Sequence, residues 1–427
     1  MVAFFYGVVP LLIWIGGGGL YDLGPGAGWY ETWVSLSQLT GLIATLCALV
    51  GLFCIARVFG NSVGIDRLFR WHGLLGGAMC VALGLHIATS LIAWSDDVGF
   101  AAALSDLTGR QSFMALATVA ALFVFIVALS SMRSLRRSMD YETWYYLHLC
   151  AYFAIAFALP HSLQLGNDFS ATWTWWYWIA LHVVAAAAVV ISRWGRTVWA
   201  TLRPWKVSAT QPLNSTTTEI ILESPAPIRA QAGQFAFLRP LARDLWWKSH
   251  PYSFSELSEN RFHITVKQRG DSSSDFLHLQ PGTKVAVTGP FGSLTVASLD
   301  PQRRVIFLFG GVGMTIARPL LRDLPTDIPM GDAPIVFLRA HRNEDLVHYD
   351  EIEELVKARN GRLFNLVGSR RLFTNPFSAN ELSTIISDAE NRQALLCGPD
   401  SLLAAARRGL LDLGIEKNHL HFERSWW

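Results

Sequence analysis

Apolar residues gather into six runs, at about residues 2–19, 36–58, 70–94, 111–132, 144–163 and 173–199. Each is close to the ~20 residues a helix needs to cross the ~30 Å hydrocarbon core of a bilayer. The pattern therefore predicts six crossings. The polar stretches between the runs alternate in charge. Asp22 and Glu31 stand alone in the first; Arg57, Arg67 and Arg70 mark the second. Asp96, Asp97 and Asp106 outnumber Arg110 in the third, Arg133, Arg136 and Arg137 mark the fourth, and Asp168 stands alone in the fifth. Arg193, Arg196, Arg203 and Lys206 follow the sixth run. Basic loops stay on the cytoplasmic side, so both termini are expected there, in the manner of a bacterial plasma-membrane protein. Trp29, Trp33, Trp94, Trp173, Trp175 and Trp176 fall at the outer boundaries, as an aromatic belt does. The opening MVAFFYGVVPLLIWIGGGG has no basic leader, which predicts a retained helix and not a signal peptide.

Beyond Pro204 the period changes. Short β-rich runs follow at Lys206–Thr210, Thr217–Leu222, Gln234–Leu238, Pro251–Ser255, Phe262–Lys267 and Lys284–Thr288, separated by Gly and Pro. They predict a small antiparallel β-barrel. After residue 300 the strand-like runs RVIFLF, PIVFLRA, RLFNLV and QALLC alternate with helical patterns starting near Met314, Tyr349, Ala379 and Asp400. That alternation predicts a parallel, doubly wound α/β sheet. The expected architecture is a multidomain membrane protein: a six-helix transmembrane bundle over 1–203, a barrel over 204–300 and an α/β domain over 301–427.

Composition supports the membrane reading. Hydrophobic residues make up 51 % and charged residues 16 %, too apolar for an ordinary soluble chain. A net charge of only +2 gives no sign of a nucleic-acid partner. The five cysteines show no CxxC pair or zinc spacing and are expected to be packing residues in the main.

Four histidines interrupt two of the apolar runs at nearly matched intervals. His72 and His86 lie in the third run, His148 and His161 in the fifth. An ionisable side chain inside a membrane is costly and calls for a reason. Imidazole is a common axial ligand of haem iron. His72 and His86 are separated by ~21 Å of helical rise, with directions differing by ~40°. His148 and His161 are separated by ~20 Å, but ~1300° of ideal winding leaves their rings on different faces. Pro160, directly before His161, is a place where winding can depart from ideal. The third and fifth runs cross in the same direction. The expected metal ligands are then His72 with His148 near the cytoplasm and His86 with His161 near the outside, holding two stacked b-type haems. The plain alternative is four polar packing residues. His182, in the sixth run, lacks a partner at matched spacing and reads as packing or a propionate contact.

The soluble half carries two phosphate-binding patterns. His250-Pro251-Tyr252-Ser253 offers a ring to pack on an isoalloxazine and a hydroxyl for its polar edge. Lys267-Gln268-Arg269-Gly270-Asp271-Ser272-Ser273 offers a Gly-containing turn to a pyrophosphate. These mark FAD; a plain strand end is the alternative for the first. Phe309-Gly310-Gly311-Val312-Gly313-Met314-Thr315 follows a strand and precedes a helical pattern, where glycines admit a dinucleotide phosphate. Arg370 and Arg371 suit a ribose 2′-phosphate, hence NADPH, with NADH left open and a solvated basic turn as the plain alternative. Cys397-Gly398-Pro399 places a thiol at the carboxyl edge of the sheet, where ligands bind.

Taken together, these motifs resemble the ferric reductase and NADPH oxidase superfamily of transmembrane flavocytochromes b, over nearly the whole chain. The His-Pro-aromatic-Ser segment resembles that family's flavin motif, KQRGDSS its pyrophosphate loop, and GPFG at Gly289–Gly292 the segment joining its two lobes. GGVGMT and CGP are similar to its nicotinamide-nucleotide motifs. The resemblance implies a transmembrane oxidoreductase of the NAD(P)H oxidase or ferric reductase type. Electrons would pass from cytoplasmic NADPH to oxygen, a ferric chelate or a periplasmic acceptor protein, with a catalytic Cys397 and a C-terminal aromatic, Trp427, stacked on the flavin. The chain departs from the family pattern at Ile316, where Pro is usual, and at Ser90, where oxygen-reducing members tend to carry His. No EF-hand pattern is present. Two other classes compete: an electron-transfer subunit for a periplasmic enzyme, and a transporter with a nucleotide-sensing domain. The transporter would lack a haem spectrum.

Overall fold

The computed structural model describes residues 2, 4–56, 64–106, 112–166, 171–243, 245–268, 271–368 and 376–424. Among these, five helices are long and apolar enough to cross a membrane: Trp29–Ala56, Arg67–Asp96, Phe113–Ser131, Tyr141–Leu165 and Thr172–Leu202. The first apolar run differs from the expected full crossing. It forms a shorter helix, Phe4–Gly16, which at roughly 1.5 Å per residue reaches only about 20 Å. The glycine run that follows, with Gly18 at φ +102°, gives no support to further winding.

The helical region comprises α1 (Val9–Gly16), α2 (Trp29–Ala56), α3 (Ile65–Val98), α4 (Ser112–Ser131), α5 (Tyr141–Leu149), α6 (Ala151–Leu165) and α7 (Thr172–Val189). Trp14 of α1, Leu49 and Phe53 of α2, and Trp178, Leu181 and Ala185 of α7 share one buried core. Tyr6 donates its hydroxyl to the Leu181 carbonyl at 2.6 Å, tying the first run to α7. Leu74, Val81, Leu122, Phe125 and Ile191 remain exposed. Apolar side chains facing outward in this number suit a lipid surround.

The helix that carries His148 and His161 is interrupted. At Cys150 the backbone N–H bonds to the Leu147 carbonyl at 3.1 Å, three residues back instead of four. The tighter turn resets the helical phase between the two histidines. Sequence reasoning assigns that departure to Pro160, which lies within α6 without ending it.

Residues 1–59 with 67–195 form one compact unit, and 60–66 with 196–427 another. The second begins with six antiparallel strands: β1 (Trp205–Asn214), β2 (Thr217–Glu223), β3 (Phe235–Pro240), β4 (His250–Leu257), β5 (Arg261–Lys267) and β6 (Lys284–Phe291). They close into a barrel in the order β1-β2-β5-β4-β3-β6. Alternating inward residues, among them Ile220, Leu222, Phe254, Phe262 and Ile264, fill it. A short helix, α8 (Asp271–Leu277), places Phe276 against this core.

The remainder is a parallel sheet of β7 (Arg304–Gly310), β8 (Ile335–Ala340), β9 (Arg362–Val367), β10 (Arg392–Gly398) and β11 (Leu420–Arg424), in the order β11-β10-β7-β8-β9. Helices α9 (Ala317–Asp323) and α10 (Tyr349–Lys357) cover one face. α11 (Ala379–Ile385) and α12 (Asp400–Asp412) cover the other, so each face has its own core. Strands buried on both faces read as unbroken apolar runs, as RVIFLF does. The order reverses between β7 and β10, which opens a crevice at their carboxyl ends.

Candidate functional site

The helical unit brings the four histidines together in two pairs. The His72 and His148 ring centres are 5.8 Å apart, with ring planes at 70°. Those of His86 and His161 are 6.1 Å apart at 68°. Two imidazole–metal bonds of roughly 2 Å each, plus about 1 Å from each nitrogen to its ring centre, give ~6 Å. The spacing thus fits one metal ion between the rings of each pair. All four rings line one cavity of about 890 Å³. Among the described residues no group of three or more His, Cys, Asp or Glu side chains could hold a metal. Two ligands per centre suit an ion already held in a porphyrin plane.

Helix α2 carries none of the four but orients two of them. His86 Nδ1 lies 2.9 Å from the Ser37 carbonyl and 3.2 Å from the Ser37 hydroxyl. His72 Nδ1 lies 3.2 Å from the Gly51 carbonyl. A carbonyl only accepts, so each Nδ1 carries the proton and each Nε2 keeps its lone pair. Gly41 makes the approach to α2 feasible: a Cβ there would stand 2.9 Å from His86 Nδ1. On the other side, the Ser131 hydroxyl lies 3.2 Å from His148 Nδ1. His161 Nδ1 is buried and has no hydrogen-bond partner among the described residues. His182 lines the same cavity and bonds its own helix, Nδ1 to the Trp178 carbonyl at 2.9 Å. Sequence reasoning missed Ser37, Gly41, Gly51 and Ser131. Small residues one turn apart on α2 were the visible signal, but nothing in the sequence names the ring they admit.

In the barrel, β4 opens with His250, Pro251, Tyr252 and Ser253. Tyr252 packs on Phe276 with ring centres 5.0 Å apart, and His250 on the same ring at 5.7 Å. Burial pushes the Tyr252 phenol up, so it stays protonated at any ordinary pH. Pro251 and Ser253 stand opposite Phe237 and Phe235 of β3. Lys267, expected beside a pyrophosphate, has its ammonium 2.6 Å from the buried Asp345 carboxylate. Burial alone would raise Asp345. The hydrogen bond and charge of Lys267, with Arg342, outweigh it and hold that carboxyl low. Ser273 lies in α8; Gly270 lies outside the described residues. Arg239, on β3 and unremarked in the sequence, has a buried Nε without a hydrogen-bond partner among the described residues. A phosphate oxygen is the kind of acceptor that would satisfy it.

At the sheet crevice, Gly310 ends β7 and Gly311 adopts φ +58°, where glycine is favoured. Gly311–Ile316 is a 3-10 turn, so the helix proper starts at Ala317 and not near Met314. The Thr315 hydroxyl donates to the Val312 carbonyl at 2.9 Å, closing its own turn. Cys397 pairs with Phe309 across β10 and β7. A Cβ on Gly313 would stand 2.7 Å from the Cys397 carbonyl oxygen. The two glycine motifs thus meet at the reversal point, with Gly398 and Pro399 leading into α12. Arg370, Arg371 and Trp427 lie outside the described residues.

Apolar helices joined to a strand-rich flavin-type reductase domain define a multi-pass membrane flavoprotein. Residues 40–159 match the family described as "Ferric reductase like transmembrane component", and residues 204–295 match the family described as "FAD-binding domain". The two matches lie in the order in which a ferric reductase-like transmembrane region precedes an FAD-binding reductase domain, which is what this chain is similar to. It is 27 % identical over 205 residues to the 3-ketosteroid-9-alpha-monooxygenase, ferredoxin reductase component, of Mycobacterium tuberculosis, covering 47 % of this chain and 56 % of that relative. It is 22 % identical over 294 residues to the probable metalloreductase AIM14 of Eremothecium gossypii, covering 67 % of this chain and 53 % of that one. The chain thus spans little more than half the length of these relatives. Among solved structures, the flavohemoglobin of Malassezia yamatoensis with bound FAD and heme aligns at 15 % identity and TM-score 0.48, over 92 % of this chain and 96 % of that one.

Proposed function

We propose that this chain moves electrons from cytoplasmic NADPH, across the membrane, to an acceptor on the far side. The observation that carries this reading is the pair of histidine pairs, with ring centres 5.8 and 6.1 Å apart along one apolar cavity. When bound, FAD supplies the conversion of a hydride into single electrons, and two b-type haems supply one-electron carriers within the bilayer. The chain's own residues do the rest. His72 and His148 hold the inner haem, His86 and His161 the outer one, each through Nε2. Ser37, Gly51 and Ser131 fix the rings by their Nδ1 atoms. The β4 motif and the orphaned Arg239 hold FAD. The Gly310–Thr315 loop and Cys397 receive the nicotinamide nucleotide, and Arg370 and Arg371 select its 2′-phosphate. Trp427 covers the flavin.

The loop charges orient the chain with its carboxyl-terminal unit cytoplasmic in a bacterial plasma membrane, and with the short Phe4–Gly16 helix taken as the first of six crossings both termini are cytoplasmic. The acceptor is oxygen, giving superoxide, or a ferric chelate, giving ferrous iron; metal reduction is what the name of the AIM14 relative suggests. The test is an NADPH-driven assay in proteoliposomes loaded with FAD and haem, scored for superoxide and ferrous iron with and without superoxide dismutase. Far-side reduction of either acceptor is expected. Flavin reduction without any far-side product would contradict the reading.

A further inference from the structure

Two segments of the soluble unit each continue from a cofactor motif into a shared buried cluster. β4 runs from His250–Ser253 directly into Ser255 and Glu256. α9 follows the Gly311–Ile316 turn, with Arg318 three residues past Thr315. The two continuations meet at Arg318. Its Nε donates to the Ser255 carbonyl at 3.0 Å, and its Nη2 donates to Glu219 Oε1 of β2 at 2.9 Å. Glu256 lies 3.3 Å away, and Nη1 donates to Glu351 of α10 at 3.3 Å. Arg318 is 5 % exposed and Glu219 4 %. The Ser255 hydroxyl donates to Glu219 at 3.2 Å, and His263 and His348 lie 3.1 and 3.4 Å from the same carboxylate. One turn on, Arg322 bridges Glu256 and Glu351.

An ion cluster this deep is a poor source of stability, because apolar side chains of similar volume would pack at least as well. Its distinguishing property is direction. A guanidinium fork with carbonyl and carboxylate acceptors on two strands, β2 and β4, and one helix, α10, has one satisfied arrangement. Ile316, Ala317 and Leu320 pack α9 into the core of its own lobe, while Arg318 reaches the barrel.

We propose that Arg318 is a positioning residue, a latch that holds the nucleotide loop at a fixed place relative to the flavin strand. It deepens the proposed function and rests on the soluble unit being a nicotinamide-to-flavin reductase. In that reaction a hydride, two electrons with one proton, leaves the nicotinamide and is taken up by the flavin, leaving the oxidised nucleotide. Arg318 acts through the backbones of 310–315 and 250–253. Misplacement by about 1 Å costs such a transfer on the order of 100-fold.

The test is anaerobic stopped-flow flavin reduction by NADPH in the full FAD-loaded chain, comparing the parent with R318M, R318K and E219Q. At saturating nucleotide, R318M is expected to fall by ~10- to 100-fold in rate, with KM shifted far less and FAD content and dithionite reduction unchanged. The nicotinamide–flavin charge-transfer band should weaken in parallel. R318K keeps the charge but loses the fork, so it falls between the two. E219Q keeps the shape but removes the charge that pairs with Arg318, so its rate should also fall, by less than in R318M, and it is the readable variant if R318M fails to fold. Rates within about twofold of the parent in R318K and E219Q, with the band intact, would overturn the latch. A parent chain that binds FAD yet is not reduced by NADPH or NADH overturns the reductase reading itself, and the latch with it.

Discussion

The residues that orient the histidines are as informative as the histidines. A ring held at Nδ1 by a carbonyl presents Nε2 in one direction, and a pair held about 6 Å apart accepts a metal without rearrangement. His86→Ala and His161→Ala are each expected to lose the outer haem, about half of the Soret absorbance per chain, and all far-side reduction. NADPH bleaching of the flavin should persist in both. Unchanged far-side reduction in either variant would refute the pairing. Gly41→Ala is subtler. Its Cβ would press on His86 Nδ1 at 2.9 Å, so the outer haem should be lost selectively while the inner one stays, as read by redox titration of the two haems. Gly313→Ala meets backbone at Cys397, which cannot give as a flexible side chain would. A rise in KM for NADPH of at least ~10-fold is expected, with bound FAD unchanged.

Among the elements, legibility follows periodicity. The six barrel strands and β7 to β10 lie at the apolar runs read from the sequence, because strands buried on one or both faces leave an unmistakable pattern. β11 was invisible: LHFER is five residues long and half charged or polar. The first apolar run was read as a crossing on composition; its helix, Phe4–Gly16, is shorter than the other five, and a glycine run follows it. Lys267 was read as a phosphate contact from its neighbours in sequence. Its carboxylate partner in the structure, Asp345, is far along the chain, and no local signal predicts that pair. Arg318 was hidden for the same reason, although one charge inside the apolar stretch MTIARPLL is a flag. The cluster around it also predicts a pH response. Burial alone would raise Glu219, yet the neighbouring His263 and His348 and the charge of Arg318 outweigh it and hold the carboxyl well below the usual range. A depressed carboxyl contributes stability that is fully present above its unfolded value, about 4.3, and lost as pH falls through the folded one. Thermal melts of the soluble unit within the full chain should therefore be flat in this contribution from pH 7 to about 5 and drop below about 4. In E219Q the acid limb should be shallower; equal slopes would contradict the assignment.

For the whole molecule, the division of labour is set by dielectric. Apolar helices line the histidine cavity, surroundings in which a one-electron carrier can work without a proton donor at hand. The other unit gathers its glycine-containing motifs at strand ends, where backbone N–H groups are available. The histidine pairs were legible in the sequence because a titratable side chain in lipid is rare. The cavity between them was not, since it depends on glycines of α2 and α3 and on a break at Cys150. The most direct test of the central claim is the haem content and spectrum of the purified, haem-supplemented chain. Two b-type haems per chain are expected, with a Soret band and the low-spin electron paramagnetic resonance of bis-imidazole iron. A colourless protein, or one whose spectrum is untouched by replacing all four histidines, would contradict it.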